Sequence, residues 1–111
     1  MKTLKFAHNL VGKILDGSKM VTWRLFDDKD LGMGDQLEFI DSDSGEKFAE
    51  AEITNVHEKK LREVQERDFE GHEKYKNKEE MLETYRRYYG DKVSWDAVIK
   101  IIEFKLLRVS Q

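Results

Sequence analysis

The chain has 111 residues, a formal net charge of -3 and no cysteine or proline. That length fits one domain and buries roughly two thirds of its unfolded surface. The missing cysteines exclude disulfides, thiol catalysis and zinc-thiolate sites, and the net charge argues against general polyanion binding. No apolar run is long enough to cross a bilayer and no leader pattern stands out, so the expectation is a soluble, cytoplasmic protein. Charged residues make up 39% of the chain, rich in Lys and Glu with few Asn and Gln, a balance that leans towards a thermophile. The charge is uneven: residues 1–26 hold Lys2, Lys5, Lys13, Lys19 and Arg24 against Asp16, a net +4, which leaves -7 on the rest.

In chain order, Met1 to Phe6 reads as a short strand with Leu4 and Phe6 on one face. Asn9 to Asp16 has Leu10, Val11, Ile14 and Leu15 at helical spacing. Gly17 stands where a helix needs a left-handed C-terminal residue. Period-two alternation follows. Val21, Trp23 and Leu25 form a core face, and Met20, Thr22 and Arg24 form the other. Thr22 and Arg24 therefore project together, with Lys19 at the mouth of the turn. A desolvated lysine loses proton affinity and can activate a neighbouring hydroxyl, and an arginine offers a fork for a carbonyl or phosphate. The bland alternative is a half-exposed strand with a solvated polar face.

Asp27 to Asp35 is an acidic loop, read either as a lid over the motif or as a surface connection. Gln36 to Ile40 and Phe48 to Val56 form a hairpin around the turn Ser42–Gly45, with Leu37, Phe39, Ala49, Ala51 and Ile53 inward. Lys60 to Asp68 reads as a helix on Leu61 and Val64. A second helix is capped by Asn77 with Glu80, carries Met81, Leu82, Tyr85 and Tyr88 or Tyr89 as its apolar stripe, and ends at Gly90. Val98 to Leu107 closes the chain as a strand. The order β-α-β-β-β-α-α-β suggests an α+β fold, a small mixed β-barrel with flanking helices, in a single domain over residues 1–111.

Other chemistry is thin. His8, His57 and His72 lack ligand spacing, so neither metal nor cofactor is expected. The run Tyr85 to Tyr89 could stack bases, but at helical spacing its aromatics read as core, as does Trp23.

The stretch from Gly17 to Arg24 resembles the signature of the ASCH domain family, within the PUA-like superfamily. Three later features agree in order: Gly34-Asp35 before a strand, Asp68-Phe69-Glu70-Gly71 before a helix, and the closing strand Val98 to Phe104. The resemblance spans nearly the whole chain and implies the PUA-like barrel. It also implies two functions. One is binding of RNA or a nucleoside or nucleotide beside the motif, with Gly17, Lys19, Arg24 and Lys13 as ligand contacts in a monomeric protein. The other follows a bacterial branch of the family that hydrolyses N4-acetylcytidine with a lysine, a threonine and a glutamate. Those fall on Lys19, Thr22 and, in the Glu-Gly element, Glu70, with Glu73 as the alternative because this segment is longer by about two residues. Arg24 or backbone amides near Gly17 would hold the oxyanion or the base.

Overall fold

The computed structural model describes residues 1–26 and 29–110. Five strands and two helices follow one another as β1 (Lys2–Phe6), α1 (His8–Leu15), β2 (Val21–Leu25), β3 (Gln36–Asp41), β4 (Lys47–Lys60), α2 (Lys78–Tyr89) and β5 (Val98–Val109). The strands form one mixed half-barrel sheet in the order β1-β3-β4-β5-β2. β1 pairs parallel with β3, and every other pairing is antiparallel. β1 and β2 stand at the two ends of that order, so an open seam lies between them.

Two apolar clusters hold the sheet. Inside the half-barrel, Leu4, Phe6, Ile14, Leu37, Phe39, Ala49, Ala51, Ile53, Ile102 and Phe104 pack together. Phe39 is fully buried, edge-on to Phe6 at 4.7 Å and to Phe104 at 4.9 Å. Outside it, Val21, Trp23, Leu25, Ile99 and Ile101 face Met81 and Tyr85 of α2. The alternation of β2 and β5 produces this division. Trp23 opposes Ile101 on the outer face, and Thr22 opposes Ile102 on the inner one.

α2 starts as its sequence expects. The Asn77 side chain accepts the Glu80 backbone N–H at 2.8 Å, and Gly90 closes the helix at φ +92°. Residues 60–68 do not form the expected helix. β4 runs on to Lys60, in register with Val98 of β5. The chain then turns in two short 3-10 segments, Leu61–Glu63 and Glu66–Phe69. Side chains cap these turns: Glu63 accepts the Lys60 N–H at 2.8 Å, and Asp68 the Gln65 N–H at 2.7 Å. Such local bonds compete with helix propagation. The loop read as a lid falls partly outside the described residues, at 27 and 28. Its described part is tied to β1: Leu31 is buried, and Lys2 bonds both the Asp30 carbonyl (2.7 Å) and the Asp35 carboxylate (2.9 Å).

Phe39→Ala should remove about 3–5 kcal/mol of stability, and Asn77→Ala about 1 kcal/mol. Urea unfolding of both variants checks the order; an Asn77→Ala loss equal to that of Phe39→Ala would contradict it.

Candidate functional site

The turn between α1 and β2 is fixed by its own backbone. Gly17 takes φ +86°, and its N–H bonds the Ile14 carbonyl at 3.2 Å. The Ser18 N–H bonds the Asp16 carboxylate at 2.8 Å, and the Lys19 N–H bonds the Lys13 carbonyl at 3.0 Å. The next two amides, of Met20 and Val21, both donate to the Gly71 carbonyl, at 2.8 and 3.1 Å. Every backbone N–H from Gly17 to Val21 is therefore committed within the protein. The expected oxyanion contact from amides near Gly17 is not available, and Gly17 serves the turn instead.

The Gly71 contact also brings in the second half of the site. Gly71 has φ +74°, and a Cβ there would meet Met20 and Val21 side-chain atoms at 3.4 Å. With this glycine docked on the motif, the next two residues, His72 and Glu73, reach Lys19. Lys19 is only 3% exposed. Its Nζ donates to Glu73 Oε2 at 2.7 Å and to the Val21 carbonyl at 2.8 Å. Burial pushes the Lys19 ammonium below its usual value, against the opposing charge and hydrogen bond of Glu73. Burial also raises the Glu73 carboxyl, but the surrounding charges and hydrogen bonds, Lys19 first among them, together outweigh it and leave that group below the usual range.

Thr22 is buried beside this pair on the inner face of β2. Its hydroxyl oxygen accepts from Arg24 Nε at 3.3 Å. The Arg24 guanidinium also bridges the seam, donating to the Lys5 carbonyl of β1 at 2.9 Å and lying 4.8 Å from the centre of the Phe6 ring. Arg24 also shares a side-chain hydrogen bond with Tyr89, so the guanidinium joins β1, β2 and α2 at the seam. Among the described residues, Lys19 Nζ bonds Glu73 and the Val21 carbonyl but not Thr22 Oγ1. The two share a cavity wall without bonding each other.

That cavity measures about 300 Å³ and opens at the seam. Lys19, Thr22, Arg24 and Glu73 line its polar side, and His72, Tyr85, Tyr88 and Tyr89 an aromatic side. The rings behind it are ordered: Trp23 stacks on His72 at 4.2 Å, and Tyr85 lies parallel to Tyr89 at 6.3 Å. Trp23 and Tyr85 are core residues as expected, and both also reach the cavity.

Two other sequence candidates lie elsewhere. Glu70 is exposed and does not line the cavity; its N–H closes the preceding 3-10 turn on the Arg67 carbonyl. The carboxylate that meets Lys19 belongs to Glu73. Lys13 is exposed in an adjoining groove of about 670 Å³, with Lys74, Arg86 and Arg87, and that groove shares Leu10, Glu73 and Tyr88 with the cavity. His72 also belongs to the cavity wall. Its only sequence signal is its place after the glycine of the Glu-Gly element.

No family model matches the sequence, and no curated protein matches it. Similar solved structures do exist. One is a protein of Enterococcus faecalis described as DUF984, at 16% identity, covering 93% of this chain and 72% of that one with a TM-score of 0.78. Another is an ASCH domain of Lactobacillus crispatus, at 20% identity, covering 86% and 68% with a TM-score of 0.67. A third is the ASCH protein of Zymomonas mobilis, at 10% identity, covering 96% and 70% with a TM-score of 0.67. The chain has the ASCH-domain fold.

Burial, and then the Lys19 charge, push His72 from 6.5 down to about 4. Between those values the unfolded chain holds the extra proton, so this group's contribution is full above pH 6.5 and is lost as pH falls towards 4. The loss is about 3 kcal/mol for such a shift. His72→Phe should flatten the pH dependence of urea unfolding between pH 7 and pH 4.5, and parallel curves for the two proteins would contradict this.

Proposed function

We propose that the seam cavity takes a nucleoside and removes an acyl group from the exocyclic amine of its base, as in N4-acetylcytidine. One observation carries the reading. Lys19 and Thr22, from a turn and the strand after it, and Glu73, from a loop 54 residues beyond Lys19, converge on one cavity with an aromatic side. Its volume of about 300 Å³ is at the small end for ligand sites and suits one nucleoside.

The chemistry follows from these groups. Thr22 Oγ attacks the acyl carbon as Lys19, in its neutral form, takes the hydroxyl proton. Arg24, beside Thr22, holds the carbonyl oxygen as it becomes negative. Glu73, in its protonated form, gives its proton to the leaving amine as the C–N bond breaks. Water then hydrolyses the Thr22 ester, releasing the carboxylic acid and restoring the hydroxyl. The aromatic rings stack the base and exclude water.

A second reading rests on the adjoining groove, which Lys13, Lys74, Arg86 and Arg87 line together with Glu80 and Glu83. There the protein would bind an RNA strand or a nucleotide phosphate without cutting it. Salt separates the two: phosphate-driven binding falls steeply as salt rises, and hydrolysis of a neutral nucleoside does not.

Purified protein should convert N4-acetylcytidine to cytidine, followed by ultraviolet absorbance. Lys19→Ala, Thr22→Ala and Glu73→Gln should each lose about 100-fold or more, while Glu70→Gln should keep the wild-type rate. No turnover, or full activity in Thr22→Ala, would refute the hydrolase.

A further inference from the structure

The hydrolase reading needs a neutral Lys19, yet Lys19 is ion-paired. Moving one proton along the 2.7 Å Nζ–Oε2 hydrogen bond resolves this without changing net charge. The ammonium and carboxylate become an amine and a carboxylic acid, which are the base and the acid that the reaction uses. The open question is what stabilises that form.

His72 lies against the other carboxyl oxygen. Its Nδ1 is 2.8 Å from the backbone carbonyl of Glu73. A carbonyl only accepts, so Nδ1 carries the ring's proton. In the neutral ring Nε2 then holds a lone pair, and it faces Glu73 Oε1 at 3.4 Å. Two acceptors face each other there unless one of them carries a proton. The ring resists a second proton: it is buried, and Lys19 is a nearby cation. Its remaining neighbours bring no charge. Trp23 stacks on it from β2, Phe69 meets it edge-on at 6.4 Å, and the Tyr75 ring lies at 6.3 Å with its hydroxyl pushed up to about 12 by burial.

We propose that His72 is a positioning residue whose Nε2 lone pair accepts a hydrogen bond from protonated Glu73, and so stabilises the neutral Lys19–Glu73 pair. The proton arrives on the oxygen that faces Nζ, and a half-turn of the carboxyl group presents it to Nε2 and leaves the other oxygen to accept from the neutral amine, so that one proton moves between two defined places. The ring takes up no net proton. The catalytic consequence rests on the hydrolase reading; the tautomer and its effect on Glu73 do not.

Two substitutions divide the ring's two functions. Asn at position 72 keeps a donor near Nδ1 and has nothing at Nε2, whereas Gln places an acceptor near Nε2. With N4-acetylcytidine, His72→Asn should lose about tenfold or more in kcat at unchanged KM, and His72→Gln should recover part of it. Wild-type kcat in His72→Asn, with Lys19→Ala inactive, overturns the role of His72 and leaves the hydrolase standing. Absence of turnover in the wild type overturns the hydrolase instead, and NMR then decides on His72. Nitrogen-15 shifts at pH 7 should show a neutral ring protonated on Nδ1, and the Glu73 carboxyl should titrate lower in His72→Asn than in His72→Gln. An Nε2-protonated ring, an imidazolium at pH 7, or equal Glu73 titrations in the two variants overturns the inference without reference to activity.

Discussion

The buried ion pair between Lys19 and Glu73 is the contact on which the site depends. It joins a turn near the start of the chain to a loop 54 residues later. Neither charge is held cheaply. The Lys19 side chain is 3% exposed and that of Glu73 23%, and removing one partner of such a pair typically costs about 3–5 kcal/mol. Two well-packed apolar residues would commonly serve stability as well or better. Stability alone therefore gives little reason for the pair. Its burial depresses the lysine, and in the proposed reaction it supplies both a base and an acid.

The backbone makes the pairing possible. Gly71 presents one carbonyl to two successive amides of the motif, and its positive φ turns the chain so that His72 and Glu73 enter the seam. Arg24 spans the same seam from β2 to the Lys5 carbonyl of β1. The cavity thus occupies the place where the half-barrel does not close. Here the strand ladder ends, and side chains rather than backbone bonds join the two edges.

Local patterns made much of this legible in the sequence. The helix stop at Gly17, the alternation of β2, the Asn77 cap and the inward row Leu37, Phe39, Ala49, Ala51 and Ile53 each follow from spacing and residue type, and each stands in the fold. The misreadings have long-range causes. Residues 57–60 are His, Glu, Lys and Lys, with no strand pattern of their own, and they are strand because β5 pairs with them. That extension displaced the expected helix into 3-10 turns. The choice between Glu70 and Glu73 lay beyond local pattern as well, because it depends on the Gly71 carbonyl docking across the chain. His72 and Trp23 are ordinary residues in sequence, and only the fold, which stacks one on the other, puts them on the cavity wall.

The central claim is that the seam cavity holds a nucleoside against Lys19, Thr22 and Glu73. The most direct measurement is an NMR titration of the isotope-labelled protein with cytidine, the product of the proposed reaction. The account predicts shift changes concentrated at Lys19, Thr22, Arg24, His72 and Glu73 and in the Tyr85–Tyr89 segment. Saturating cytidine that leaves those signals unmoved, or moves only residues 29–35, would contradict it.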